Sequence, residues 1–253
     1  MRMRRKPWAR PELAACPFCY DEYSNDPTQY RGRWRQQFAR PEAPLWLELG
    51  CGKGGFVAQA ALRWPQANFL AVDIKSEVLA LAKRRVEAAF AAEGRPVENV
   101  KLIAQEICLI ERLLDENDAV GRIFINFCNP WPKEYHNKRR LTHPRQLLLY
   151  RQFLADGGEI WFKTDDDDLF DASLQYFPDA GFEILWQTRD LHAQEPEWNL
   201  RTEHEQMFSE QGIPIKALIA RKLPQLPDNE ATRDAIASLR AHPAQNKSSQ
   251  QTQ

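Results

Sequence analysis

From Leu45 onward the chain alternates short apolar runs with helix-patterned stretches, and this limits its fold more than any other feature. Residues 45–49, 68–72, 100–104, 123–127 and 159–163 read as strands. Residues 56–63, 75–93, 107–114, 145–154 and 169–176 read as the helices between them. Ser76 is the expected N-cap of the second helix, with Glu77 in its first turn, and Asp156-Gly157-Gly158 is the expected end of the fourth. Such alternation demands right-handed crossovers and a mainly parallel sheet covered on both faces. Residues 182–188 and 215–221 then follow as two successive strands, which predicts an antiparallel pair at one edge. The result is an α/β, Rossmann-like sheet of seven strands.

The 253 residues suit one medium-sized domain with extensions. Residues 1–40, rich in Arg, Pro and aromatic residues, show no sustained period and read as an arm. Residues 41–223 form the domain, and 224–253 hold a short helix near 230–240 and a polar tail, 243–253, expected to be disordered. No run is apolar enough to span a bilayer, and the basic amino end lacks a hydrophobic core after it, so a cytoplasmic protein is expected. A net charge of −1 excludes a molecule that binds polyanions over its whole surface. Any nucleic-acid surface must be local. The candidates are Arg2, Arg4, Arg5, Lys6 and Arg10, then Arg31, Arg33, Arg35 and Arg40, then Lys133 to Arg140, offset in part by Asp165 to Asp168. The single Cys-x-x-Cys, Cys16 to Cys19, lacks a second ligand pair, so two reduced thiols and no metal are expected.

Leu47-Glu48-Leu49-Gly50-Cys51-Gly52-Lys53-Gly54-Gly55 follows the first strand and opens the first helix. Gly50, Gly52 and Gly55 satisfy G-x-G-x-x-G, and Asp73 ends the next strand at the distance of a ribose-binding acid. That spacing allows NAD or S-adenosylmethionine. Glu48 favours the second, because a carboxylate at the loop mouth repels a pyrophosphate and attracts an ammonium or sulfonium. Glu106, past the third strand, reads either as an acceptor for an adenine amino group or as an exposed helix-start acid.

Asn129-Pro130-Trp131-Pro132-Lys133 follows the fourth strand. Its two prolines stop strand and helix alike, leaving a rigid loop where ligands bind in open α/β sheets. It offers an indole to stack on and cations for phosphates, unless it is only a solvated charged turn.

Four segments now stand in order: Glu48-Leu49-Gly50-x-Gly52-x-Gly54; Asn129 to Lys133 with His136 and Lys138-Arg139-Arg140-Leu141; Phe162-Lys163-Thr164-Asp165; and Thr202-Glu203-His204-Glu205. Together they resemble the bacterial tRNA (guanine-N7)-methyltransferase family over about residues 45–222. The resemblance implies a class I methyltransferase fold, S-adenosylmethionine as donor, and a guanine of the tRNA variable loop (position 46) as acceptor. It implies that Glu48, Gly50, Gly52, Asp73, Glu106 and Asn129 hold the donor. It also implies that Lys133, Asp165, Thr202, Glu203 and Glu205 face the tRNA, with Asn129 and Asp165 serving the transfer itself. Two positions depart from the family pattern: Asn129 stands where an Asp is usual, and His204 where a Tyr is usual.

Guanine N7 offers a lone pair and has no proton to lose, so its methylation needs orientation and charge stabilisation rather than a general base. Carboxylates suit that task. Asp165, Glu203 and Glu205 are the available acids, and each has a structural reading as well: Asp165 at a helix start, the glutamates in a solvated turn capped by Thr202. Two other functions stay open at this level. Asn129-Pro130-Trp131-Pro132 partly resembles the Asn-Pro-Pro-aromatic loop of amino-directed methyltransferases, and a non-catalytic RNA-binding member would keep the fold. A monomer and a homodimer are equally compatible with the sequence.

Overall fold

The computed structural model describes residues 6–241. Arg2, Arg4, Arg5 and the tail 243–253 lie outside the described residues. Among the described residues eight strands form one sheet: β1 Cys19–Tyr20, β2 Leu45–Leu49, β3 Asn68–Asp73, β4 Val100–Ala104, β5 Val120–Asn126, β6 Leu154–Thr164, β7 Phe182–Thr188 and β8 Lys216–Lys222. Their spatial order is β1-β4-β3-β2-β5-β6-β8-β7. The first six in that order run parallel, and β8 pairs antiparallel with both β6 and β7. The helices are α1 Ala9–Ala14, α2 Gly55–Arg63, α3 Ser76–Ala92, α4 Pro144–Phe153, α5 Asp167–Asp179, α6 Glu203–Glu210 and α7 Glu230–Ala241.

Side chains alternate across the pleat, and both faces are covered. Leu45, Leu47, Leu49, Ile123 and Ile125 pack with α4, α5 and α7. Phe69, Ala71, Leu102 and Phe124 pack with α1, α2 and α3. Burial on both sides is why the central strands read as nearly continuous apolar runs.

The sheet has one strand more than the seven expected, and the extra one lies in the arm. A two-residue strand shows no period, so β1 is visible only through its pairing, Cys19 with Leu102 and Tyr20 with Ile103. The residues around it are docked as well. Glu12 of α1 bridges Arg84 at 2.6 Å on α3, and the fully buried Trp34 donates its indole N–H to Leu113 O at 2.8 Å.

Three local expectations also change. Residues 107–112 form a 3-10 turn broken at Leu109 instead of a helix to 114. Lys75, not Ser76, is the N-cap of α3, and the Asp73 carboxylate takes the Lys75 amide at 3.1 Å. The fourth helix ends at Phe153, and Asp156-Gly157-Gly158 bulges within β6. Leu154 faces Val120 and Glu159 faces Arg122, so the surplus residues turn out, helped by Gly157 at φ +70°.

The chain leaves β2 toward β3 on one side and returns to β5 on the other. That reversal opens a crevice outside the carboxyl ends of β2 and β5.

Candidate active site

Glu48, near the end of β2, is 2% exposed. Its Oε1 accepts from Asn126 Nδ2 at 3.4 Å, while Oε2 is buried with no hydrogen-bond partner among the described residues. Burial pushes this carboxyl up to about 8, against the pull of Asn126 and Lys163. A buried acceptor left open at a crevice is unusual and marks a place where a cationic or hydrogen-bonding ligand group fits.

The glycine loop above it is held from β3. The Gly50 and Cys51 amides donate to Val72 O, and the Gly52 amide donates to Asp73 Oδ2 at 3.0 Å. Gly50 and Gly52 take positive φ, and nothing lies within 4 Å of where a Cβ would stand on either, so the loop backbone faces open space. Gly54 works differently: at φ +74°, its Cβ would meet Ala82 Cβ at 2.8 Å. The close loop–α3 approach therefore falls to Gly54, while Gly55 simply opens α2. An open glycine cradle, an acid below it and an unpartnered buried carboxylate beside it fit S-adenosylmethionine.

The facing wall comes from β5 and α6. Asn126 and Phe127 line a cleft of ≈ 280 Å³ together with Glu48, Gly50 and Gly52 on one side and Thr202, Glu203 and His204 on the other. The Phe127 ring stacks on His204, centroids 6.1 Å apart at 21°. Phe127 has φ +52° and Trp131 has φ +47°, rare for bulky residues and typical of strained backbone near functional sites. Sequence reasoning missed Asn126 and Phe127. The available signal was that Asn126 is the one polar residue in the run 123–127, at the end of a strand that otherwise reads as apolar.

Beneath α6 lies a buried polar hub. Lys163, at the end of β6, donates to Asn199 Oδ1 at 2.9 Å, Leu200 O at 3.0 Å and Glu205 Oε2 at 2.6 Å. Glu205 is fully buried; its Oε1 meets Asn199 Nδ2 at 2.7 Å and His192 Nε2 at 2.9 Å. Burial alone would raise the Glu205 carboxyl, but Lys163, with the Asn199 and His192 bonds, holds it below the ordinary glutamate range. Thr202 and Glu205 also close a capping box that starts α6. Every part of this hub fixes the segment carrying Thr202, Glu203 and His204. His192, Glu195 and Glu205 are close enough to share a cation, but Lys163 on Glu205 and Arg201 on Glu195 already supply the positive charge there.

The remaining expected residues spread along the same carboxyl edge. Glu203 is exposed and paired with Arg85 of α3. Glu106 is exposed beyond β4, and Lys133 is exposed in the proline loop. Asn129 is exposed at the base of that loop, where its Oδ1 accepts the Trp131 amide at 3.0 Å. Asp166 caps α5, and Asp167 pairs with Lys216. The Asp165 carboxylate, half-buried after β6, is left without a partner among the described residues. The structure thus brings Glu48, Gly50, Gly52, Thr202 and Glu203 around one cleft with Asp73 beneath the loop. Glu106, Asn129, Lys133 and Asp165 follow the carboxyl ends of β4, β5 and β6 outside that lining, and Glu205 is sealed inside.

This fold and cleft define a class I methyltransferase. A family model described as "Putative methyltransferase" matches residues 42–218. The solved 16S rRNA methyltransferase KamB is similar at a TM-score of 0.53 and 16% identity, over 75% of this chain and 91% of that one. A 16S rRNA (adenine-N1)-methyltransferase from Catenulisporales acidiphilia, solved with cosubstrate SAM, gives 0.52 at 13% identity, over 81% and 94%. At such identities the likeness speaks to the fold alone. A relative from Clostridium perfringens (strain SM101), named tRNA (guanine-N(7)-)-methyltransferase, is 58% identical over 223 residues, 88% of this chain and all of the relative. The chain belongs to the tRNA (guanine-N7)-methyltransferase family.

Proposed function

We propose that this protein transfers a methyl group from S-adenosylmethionine to N7 of a guanine in tRNA, with position 46 of the variable loop as the target. The observation that carries the reading is the open glycine cradle beside the unpartnered Glu48 carboxylate, on the same sheet edge as the unpaired Asp165. The 58% relative bears the name of that reaction. Action on tRNA suits a cytoplasmic enzyme.

When bound, S-adenosylmethionine supplies an electrophilic methyl group on a sulfonium. Glu48 would receive its ammonium end, Asp73 and Glu106 would accept from ribose and adenine, and the bare backbone at Gly50 and Gly52 would permit close approach. Phe127 and His204 confine the acceptor base. In-line attack by the N7 lone pair would form the N–C bond as the methyl–sulfur bond breaks, its electron pair staying on sulfur so that neutral S-adenosylhomocysteine leaves. No proton leaves, so the residues act by orientation and by their field. Asp165 accepts from guanine N1–H and the exocyclic amine, and its charge stabilises the purine cation as it forms. Glu203, held by Arg85 at the rim, adds negative potential. Thr202 and Glu205 keep that wall in place, and Lys133 meets phosphate.

Asn129 lacks the charge of an Asp but keeps its hydrogen-bonding shape, and its Oδ1 already orders the loop through Trp131. The amino-directed alternative required that oxygen to accept from an NH2 nucleophile, and no observation favours it.

Transfer of labelled methyl to bulk tRNA, followed by nucleoside analysis, tests the proposal. N7-methylguanine, cleavable by mild reduction and aniline, is the expected product; a base methylated on an amino group would overturn it. Asn129→Asp is the companion variant: a natural chain that is inactive beside an active Asp form would also overturn it.

A further inference from the structure

We propose that residues 131–139 form a ladder of rings and cations that stacks on nucleotides flanking the target guanine, with Tyr135 as its outermost rung. The inference rests on tRNA being the substrate.

The ladder follows the cleft wall in the chain. Phe127, which lines the cleft, is followed within four residues by Trp131. The Arg139 guanidinium lies over the Trp131 ring, 5.1 Å from its centroid. Trp131 meets His136 edge-on at 5.4 Å, and His136 meets Tyr135 at 4.2 Å. Lys133 Nζ closes the series, 5.8 Å from the Tyr135 ring. Cations and rings thus run in one connected series through residues 131–139.

The base of this series is rigid although its tip is bare. Arg140 is buried and donates from Nε to Pro130 O at 2.8 Å. Asn129 ties down the Trp131 amide, and 134–139 form a 3-10 turn. Tyr135 at the end is 73% exposed. A ring displayed this far from any core contributes nothing to folding that a smaller side chain would not. Among the described residues, Lys133, Lys138 and Arg139 have no carboxylate partner, unlike Arg31, Arg84 and Arg85. Rings presented between unpaired cations suit a strand with a π-face at every base and a charge at every phosphate. A protein partner would call for acids on its own surface to match these cations; RNA carries them in its backbone.

The test is steady-state methylation of whole tRNA by the full chain and by Tyr135→Ala and Tyr135→Phe. Loss of one stacked base should raise the KM for tRNA about 10-fold in Tyr135→Ala while kcat and donor affinity hold. Tyr135→Phe keeps the ring and should restore most of the loss. The thermal midpoint should stay unchanged, which separates a missing stacking ring from a damaged fold. A tRNA carrying 4-thiouridine beside the target guanine should crosslink to residues 131–139. A KM for Tyr135→Ala within about twofold of the parent, or equal losses in Ala and Phe variants, would overturn the ladder. If the parent chain methylates no tRNA at all, the function proposed above fails. The ladder is then judged by direct tRNA binding, where the same loss in Tyr135→Ala supports it and equal binding refutes it.

Discussion

In residues 31–40 the arginines are bonded to the protein's own backbone. Arg35 donates to three backbone carbonyls, Asp118 O, Ala43 O and Ala119 O, at 2.9 to 3.0 Å. Arg31 holds Glu111 O and Asp115, Arg33 holds Gln29 O, and Arg40 holds Pro65 O. In residues 133–140 only Arg140 behaves in this way, and Lys133, Lys138 and Arg139 face solvent. The two stretches look alike as sequence. One staples the amino-terminal segment onto the domain, and the other leaves three cations exposed at the surface. The acids divide in the same fashion: Glu205 is locked inside by Lys163 and Glu203 is paired with Arg85, while Asp165 has no partner among the described residues. A charged residue that already has its partner serves the fold, and one without a partner is the better candidate for the substrate.

Substitutions on the two sides should therefore separate stability from activity. The largest effect belongs to the hub. Lys163→Met strands the buried Glu205 carboxylate and should cost about 3–5 kcal/mol in urea unfolding, with activity lost as the Thr202–Glu205 wall loosens. A variant of normal stability would break the distinction. Asp165→Asn should do the opposite, lowering turnover about 100-fold, or about 2.7 kcal/mol of barrier, with an unchanged unfolding midpoint. Arg35→Met removes three charge-assisted bonds and should cost about 2 kcal/mol of stability while leaving the KM for tRNA alone.

Glu48 sharpens the comparison from the donor side. Its carboxyl must ionise to receive an ammonium group, so donor affinity measured by calorimetry should rise with pH and level off above about 8. Its folded value lies above its ordinary 4.5. In the free protein this group therefore contributes stability that is fully present below about 4.5 and lost as pH rises through about 8. Glu48→Gln should remove both dependences. The smallest effect is expected from Lys138→Ala with Arg139→Ala. It should weaken tRNA binding several-fold and flatten its salt dependence by about 0.7 for each phosphate no longer neutralised. The matching change at Arg33 should leave the salt dependence untouched.

Much of this was legible without coordinates, and the gaps have identifiable causes. The strands of the parallel core could be read because burial on two faces writes long apolar runs. β1 could not, since two residues carry no period. Glu48, Gly50, Gly52 and Asp73, the proposed donor site, could be picked out because the glycine fingerprint fixes residue types at particular spacings. Gly54 was harder to assign, because its requirement is the approach of Ala82 from another helix. Asn126 and Phe127 were missed because the run 123–127 reads as a strand, and a strand pattern gives no role to the residues at its end.

The sequence by itself determined the mainly parallel α/β sheet, its antiparallel edge pair and the family, because these depend on local periodicity and on motifs contiguous in the chain. Only the tertiary structure decided which charges are spent. Glu205 and Glu203 are two residues apart on one helix turn, and a half-turn of rotation puts one against Lys163 and the other at the rim. Partners for a charge come from residues tens of positions away, and desolvation depends on all of them at once.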